Sequence, residues 1–229
     1  YKKISMRIDI VTIFPEFFHP IKNHSIIKRS IDKKKVEVFT HDIRDFSKNK
    51  QKSVDDYQFG GDAGMVLQVQ PIDDCISKLK SERDYCEIIY LSPCGETLNQ
   101  VECNRLSVLK NIILLCGNYK GIDQRAIDLH VTKEISIGDY VLTGGEFAAS
   151  IVLDSVVRLI PGVISNESSA LFDSFQDNLL AHPIYSRPAV YKNLEVPDIL
   201  LSGNTKKIED WKEKQIIKVT KNKRPDLLD

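Results

Sequence analysis

Long apolar runs are missing from this 229-residue sequence. None approaches the roughly 18 residues needed to cross a bilayer. The longest, at residues 147–160 and 112–116, are interrupted or short. A secretory leader is not visible either, because the start is polar and Pro15 soon breaks the first apolar stretch. The cytosol is the expected location, with no membrane partner. Residues 1–5 precede Met6 and are set aside as a tag remnant or an upstream start. Cysteine pairs are lacking too. The five cysteines are odd in number and none has C-x-x-C spacing, so neither a disulfide framework nor a zinc site is expected. The five histidines form no H-x-x-x-H or H-E-x-x-H pattern, so no metal ligand set is assigned. Three nucleotide and hydrolase signatures are absent: G-x-G-x-x-G after the first strand, G-x-x-x-x-G-K-[ST], and G-x-S-x-G. Their absence disfavours NAD, FAD and P-loop ATP as ligands and an α/β-hydrolase as the fold.

What is present suits a soluble globular chain, with 42% hydrophobic and 28% charged residues. Lys+Arg and Asp+Glu balance at 32 each, yet unevenly along the chain. Residues 1–52 hold 13 basic and 6 acidic side chains, residues 53–162 hold 9 and 16, and residues 205–224 hold 8 and 3. Each basic end reads either as solvated surface or as a contact for a polyanion such as RNA. A neutral total does not exclude the second reading, since phosphate contacts are local.

The pattern predicts strands at residues 7–14, 36–40, 87–91 and 111–116, and a strand or extended segment at 135–142 broken by Gly138. Between them lie helical stretches: loosely spaced apolar residues from Phe17 to Ile31, a helix opened by Pro71, one capped by Asn99 with Glu102 three later, one near 123–129, and a long apolar helix from Gly144-Gly145 through Ile160. Residues 42–64 read as a long polar loop ending in glycines. Strands alternating with helices give an α/β class with a mostly parallel sheet. The expected division is a main domain at 6–162, a polar linker at 163–176, and a small, mainly helical domain at 177–229.

Ten of the 11 glycines lie between Gly60 and Gly162, most of them after expected strands. Ligands of open α/β sheets bind outside the carboxyl ends of the strands. Three loops therefore converge on a candidate site: Tyr90-Leu91-Ser92-Pro93, Gly117-Asn118-Tyr119-Lys120-Gly121, and Ile137 through Gly145. A ligand without phosphates, held mainly by backbone groups, fits this composition. For a single glycine, a plain tight turn is the equal alternative.

The motifs Val54-Asp55-Asp56, Gly60-Gly61-x-x-Gly64-Met65, Tyr90-Leu91-Ser92-Pro93, Cys116-Gly117-x-Tyr119-x-Gly121-Ile122-Asp123, Ser136-Ile137-Gly138-Asp139-Tyr140-Val141-Leu142-x-Gly144-Gly145-Glu146, Asp154-Ser155-x-x-Arg158-x-Ile160-Pro161-Gly162-Val163 and Leu201-Ser202-Gly203-Asn204 run collinearly from Met6 to Leu228. In these the chain resembles the bacterial tRNA (guanine-N1)-methyltransferases of TrmD type. The resemblance implies a SPOUT domain with a C-terminal trefoil knot, which periodicity could not reveal. It also implies a homodimer whose active site is shared between subunits. The reaction implied is methyl transfer from S-adenosylmethionine to N1 of the guanosine 3′ of the tRNA anticodon, which serves reading-frame maintenance. Cofactor contacts would come from Tyr90, Leu91, Ser92, Pro93, Gly117, Asn118, Tyr119, Gly121, Ser136, Ile137, Gly138, Tyr140, Val141, Leu142, Gly144 and Gly145. Substrate contacts would come from Asp55, Gly64, Ser202, Gly203 and Asn204. By the same resemblance Asp173 is the base that removes the N1 proton, and Arg158 faces guanine O6 as charge builds there. Taken alone, Asp173 reads as a solvated linker carboxylate and Arg158 as a helix-end partner of Asp154.

The sequence departs from the family pattern in four places. Lys120 stands where an acid tied to the methionyl end and to magnesium is common, which leaves magnesium open. Asn118 replaces an arginine. Asp62-Ala63 interrupts the glycine run, and the C-terminal helix carries lysines rather than arginines. Two further readings stand beside the enzyme. One is a SPOUT methyltransferase acting on a ribose 2′-OH, which the Asp173 segment disfavours. The other is an RNA-binding module without catalysis, which Asp173 and Arg158 disfavour.

Overall fold

The structure is a computed structural model that describes residues 5–164 and 173–228. The chain divides into two compact units, the first ending at Ser165 and the second beginning at Asn166.

The first unit is built on five parallel strands: β1 (Met6–Thr12), β2 (Val36–Asp42), β5 (Glu87–Thr97), β6 (Asn111–Cys116) and β7 (Lys133–Ser136). Their order across the sheet is β2-β1-β6-β5-β7. All four pairings are parallel, so every carboxyl end points the same way. Near-continuous apolar runs such as Ile112–Leu115 belong to strands covered on both faces. Ile8, Ile10, Ile112, Leu114 and Ile89 join one buried cluster, while Val11, Ile113, Leu115 and Ile88 join the other. The first cluster packs under α2 (Ser25–Asp32), α4 (Gln100–Ser107) and α6 (Glu146–Val157), and the second under α3 (Val69–Glu82) and α5 (Gln124–His130). The result is helix, sheet, helix in three layers.

Local signals account for many element ends. Asn99 caps α4, its side chain accepting from the Glu102 amide at 2.9 Å. Asp123 caps α5 through the Arg125 amide at 2.9 Å. Pro71 lies in the first turn of α3, where an amide has no intrahelical partner. The apolar stretch after Phe17 is broken into α1 (Phe18–Lys22) and α2, with Ser25 in the left-handed region at φ 48°.

Three expectations are corrected by the fold. The polar segment 42–64 is not a plain loop: it holds a 3-10 turn at Ile43–Phe46 and the strand β3 (Asp55–Tyr57), which pairs antiparallel with β4 (Met65–Leu67). The expected break at Gly138 is present, at φ 139°, but no strand resumes after it: β7 ends at Ser136, and Tyr140 N donates back to the Gly138 carbonyl at 3.0 Å. Strand β5 does not stop at Leu91. Ile135 pairs with both Leu91 and Glu96, so residues 92–95 bud out of the ladder before it resumes.

The second unit holds a short antiparallel pair, Val190–Tyr191 with Leu194–Glu195, and helices Asp198–Leu201 and Thr205–Lys223. Asn204 caps the long helix by accepting from the Lys207 amide. Trp211 is half-buried, edge-on to His182 at 6.3 Å. Residues 165–172 of the expected linker lie outside the described residues.

Candidate active site

The budded segment within β5 and the loops that leave the carboxyl ends of β6 and β7 enclose a cavity of about 580 Å³. That volume is within the roughly 300–1,000 Å³ of small-molecule sites. Tyr90, Leu91, Ser92 and Pro93 line it from the first loop. Gly117, Asn118, Tyr119, Lys120 and Gly121 line it from the second. Ser136, Ile137, Gly138, Tyr140, Val141, Leu142, Thr143, Gly144 and Gly145 line it from the third. Every residue expected to touch a cofactor therefore borders one space. Met65, Lys120, Ile135, Thr143 and Ala148 border it too and were not singled out as cofactor contacts.

The glycines here act mainly by lacking a side chain. A Cβ on Gly145 would lie 2.9 Å from the Cys116 Cα and 3.0 Å from the Gly117 amide nitrogen. A Cβ on Gly117 would meet the Tyr90 hydroxyl at 2.8 Å. A Cβ on Gly95 would overlap the Glu134–Ile135 peptide, which explains how the budded loop lies against β7. None of these three is in the left-handed region, so close approach and not turn geometry selects them.

Backbone bonds lock the loops together. Gly145 donates to the Gly117 carbonyl at 2.8 Å, and Asn118 and Gly144 form an antiparallel bridge. Beneath them, Glu146 is buried at the first turn of α6. Its Oε1 accepts from Thr12 Oγ1 at 2.7 Å and from Asn118 Nδ2 at 2.9 Å. A carboxylate in a helix first turn also faces the positive end of the helix dipole. Burial pushes the adjacent Cys116 thiol far above its ordinary range, with Glu146 adding to the shift, so Cys116 is inert filling. Burial likewise pushes the Tyr90 phenol up to about 12, keeping it neutral.

The β3–β4 hairpin docks on the second loop. Lys120 N donates to the Met65 carbonyl at 3.0 Å, Leu67 N to Gly121 O at 3.0 Å, and Asp123 N to Leu67 O at 2.9 Å. This brings Gly64 to the cavity wall, while Asp55, at the far end of the hairpin, is not among the lining residues.

The remaining expected residues are placed elsewhere. Arg158 caps the carboxyl end of α6, whereas the cavity borders its amino end at Gly145 and Ala148. Twelve residues of helix put those ends about 18 Å apart. Asp173, Ser202, Gly203 and Asn204 belong to the second unit. There the Asp173 neighbourhood is tied down by Ser174 Oγ accepting from Ala181 N and by Phe175 N donating to Leu179 O.

A parallel α/β sheet with a cavity beside three neighbouring strands, lined by neutral residues apart from Lys120, has the form of a small-molecule site. The family model described as tRNA (Guanine-1)-methyltransferase TrmD matches residues 6–229. The chain belongs to this family. It is 62% identical over 224 residues to a tRNA (guanine-N(1)-)-methyltransferase of Flavobacterium johnsoniae, covering 98% of this chain and 99% of the relative. Proteins of the same name from Christiangramia forsetii and Bacteroides thetaiotaomicron are 58% and 56% identical, over 98% of this chain and 99% and 100% of theirs.

Proposed function

We propose that this protein is a methyltransferase that moves a methyl group from S-adenosylmethionine to N1 of the guanosine 3′ of the anticodon in tRNA. The observation that carries this reading is one cavity closed by three loops in a chain whose residues 6–229 match the family. The cavity suits this cofactor: its lining is neutral apart from Lys120, and Gly117, Gly144 and Gly145 leave room that a Cβ would fill. Bound there, S-adenosylmethionine supplies an electrophilic methyl group. Backbone groups of Ile137, Gly138, Tyr140 and Leu142 would hold its adenine, and the 90–93 loop and Gly117 the remainder.

Asp173 accepts the proton of guanine N1, which frees the lone pair for attack. Arg158 stabilises the charge that develops on O6. Because Arg158 stands about 18 Å from the cavity end of its own helix, a second copy of the chain supplies the complete site. We assign that homodimer to the exposed apolar face of α6, where Phe147 and Ile151 face solvent at 55% and 43% exposure and Phe17 packs edge-on against Phe147. The trefoil knot belongs to this reading, and the return of Gly144 and Gly145 onto Asn118 and Gly117 supports it. The second unit, with Ser202, Gly203, Asn204 and the lysines of its long helix, serves as the tRNA-binding domain, and Asp55 and Gly64 contact the same substrate. The protein works in the cytoplasm; among the described residues no helix is long and apolar enough to cross a membrane.

The test uses purified protein, labelled S-adenosylmethionine and a tRNA transcript with guanosine 3′ of the anticodon, with and without magnesium. Nucleoside digests read by mass spectrometry should contain N1-methylguanosine. Ribose-methylated product, or no product while cofactor and tRNA both bind, would overturn the reading. Asp173→Ala should abolish turnover and leave cofactor binding intact, as isothermal titration would show.

A further inference from the structure

Lys35 joins three parts of the first unit that are far apart in the chain. Its backbone closes the end of α2. Lys34 is left-handed at φ 53° and its amide donates to the Ile31 carbonyl at 2.9 Å, while Lys35 N donates to the Ser30 carbonyl at 2.9 Å. That pair of bonds is a Schellman stop. The Lys35 carbonyl accepts from Met6 N at 3.1 Å, at the start of β1. With its backbone held on both sides, the side chain reaches the turn beyond α6, where Nζ donates to the Pro161 carbonyl at 2.8 Å. Gly162 passes close over that ammonium. It is left-handed at φ 78°, and a Cβ there would lie 2.5 Å from Lys35 Nζ and 3.1 Å from Cε.

The tethered turn follows directly on Arg158. Arg158 N donates to the Asp154 carbonyl at 3.2 Å, so its backbone is the last of α6, and Leu159 and Ile160 lead straight into Pro161 and Gly162. Along the chain, Gly162 comes before the segment that holds Asp173. We infer that Lys35 is a positioning residue for methyl transfer: by holding the Pro161 carbonyl it sets where Arg158 is presented and where the chain leaves toward Asp173. The inference rests on the proposed roles of Arg158 and Asp173 and deepens them. Lys35 is not among the residues lining the cavity, which borders the opposite end of α6. Its loss should therefore fall on the chemical step and spare cofactor binding. A misplacement of about 1 Å can cost on the order of a hundredfold in rate. Here the turn keeps the Val163 amide bond to Ile160 O and the buried Ile160 and Val163 side chains, so about tenfold is expected.

The experiment compares steady-state kinetics on tRNA and S-adenosylmethionine for wild type, Lys35→Met, Lys35→Arg and Gly162→Ala, with calorimetric titration of S-adenosylhomocysteine beside it. Lys35→Met should lower kcat about tenfold, while KM for each substrate and the affinity for S-adenosylhomocysteine stay within about twofold of wild type. Lys35→Arg, which keeps a charged donor, should recover most of the rate. Gly162→Ala, which displaces the ammonium without removing it, should show the same split between kcat and KM. Normal kcat in Lys35→Met would overturn the inference. So would a fall in kcat matched by lost affinity for S-adenosylhomocysteine and a lower urea midpoint, since the bond would then be merely structural. A raised KM for tRNA with kcat unchanged would overturn it as well, making Lys35 an RNA contact. Wild type that yields no N1-methylguanosine would strike the proposed function, and the inference with it.

Discussion

Asp9 shows how much one buried side chain can carry away from the active site. It lies fully buried on β1 and accepts from Arg7 Nε at 2.6 Å and the Tyr85 hydroxyl at 2.8 Å, with His41 Nε2 at 2.7 Å. Arg7 in turn lies over the Phe39 ring at 4.0 Å. Burial pushes the Asp9 carboxyl up, but its hydrogen bonds to His41, Arg7 and Tyr85 outweigh that and hold it at about 2. With an unfolded value of 3.8, the folded form is favoured wherever the carboxylate is ionised in both states. The contribution is about 2 kcal/mol, fully present above the unfolded value and lost as pH falls through the folded one. Asp9→Ala should cost about 3 kcal/mol near neutral pH, since it strands a partly buried arginine. Urea unfolding should show the gap between variant and wild type closing as pH falls from 3.8 toward 2. At the cavity, Gly145→Ala places a methyl group against the Cys116 and Gly117 backbone, which cannot swing away as a side chain can. It should lower cofactor affinity at least tenfold, about 1.4 kcal/mol, in a calorimetric titration.

At the scale of elements, the strands and several helix ends follow from local chemistry. The β-branched run at residues 7–12 and the apolar run at 111–116 form central strands, and Asn99 and Asp123 cap the helices that their side chains suit. Asn99→Ala should cost about 1 kcal/mol of stability, read from the denaturant midpoint. The hairpin hidden in the polar stretch was not legible, because Asp55–Tyr57 is short, polar and half-exposed. Its pairing with β4 and the docking of β4 on Gly121 and Asp123 hold it instead. The budding of residues 92–95 was equally hidden. Pro93 and Gly95 read as a stop, and only the partner strand β7 shows that the ladder resumes beyond them.

For the whole molecule the prediction concerns two copies. Phe147→Glu combined with Ile151→Glu should shift sedimentation toward the monomer and lower turnover together. Mixing Asp173→Ala with Gly117→Ala at equal amounts should partly restore activity, because one mixed site would draw an intact cavity from one subunit and an intact base from the other. No recovery in verified heterodimers would remove the shared site from the account.

The sequence by itself determined the α/β class, the positions of the principal strands along the chain, the cavity-lining loops and the identity of the family. These are carried by patterns within a few residues of one another and by collinear motifs. Tertiary structure alone decided what the glycines are for, since the Gly145 contact with Cys116 and Gly117 and the Gly117 contact with Tyr90 join segments roughly 30 residues apart. It also decided that Lys120 lies along Gly64, a neighbour about 56 residues earlier, and that Arg158 stands at the far end of α6 from the cavity. Side-chain chemistry is written in the chain, but which backbone passes within van der Waals distance of it is set only when the sheet closes and its loops meet.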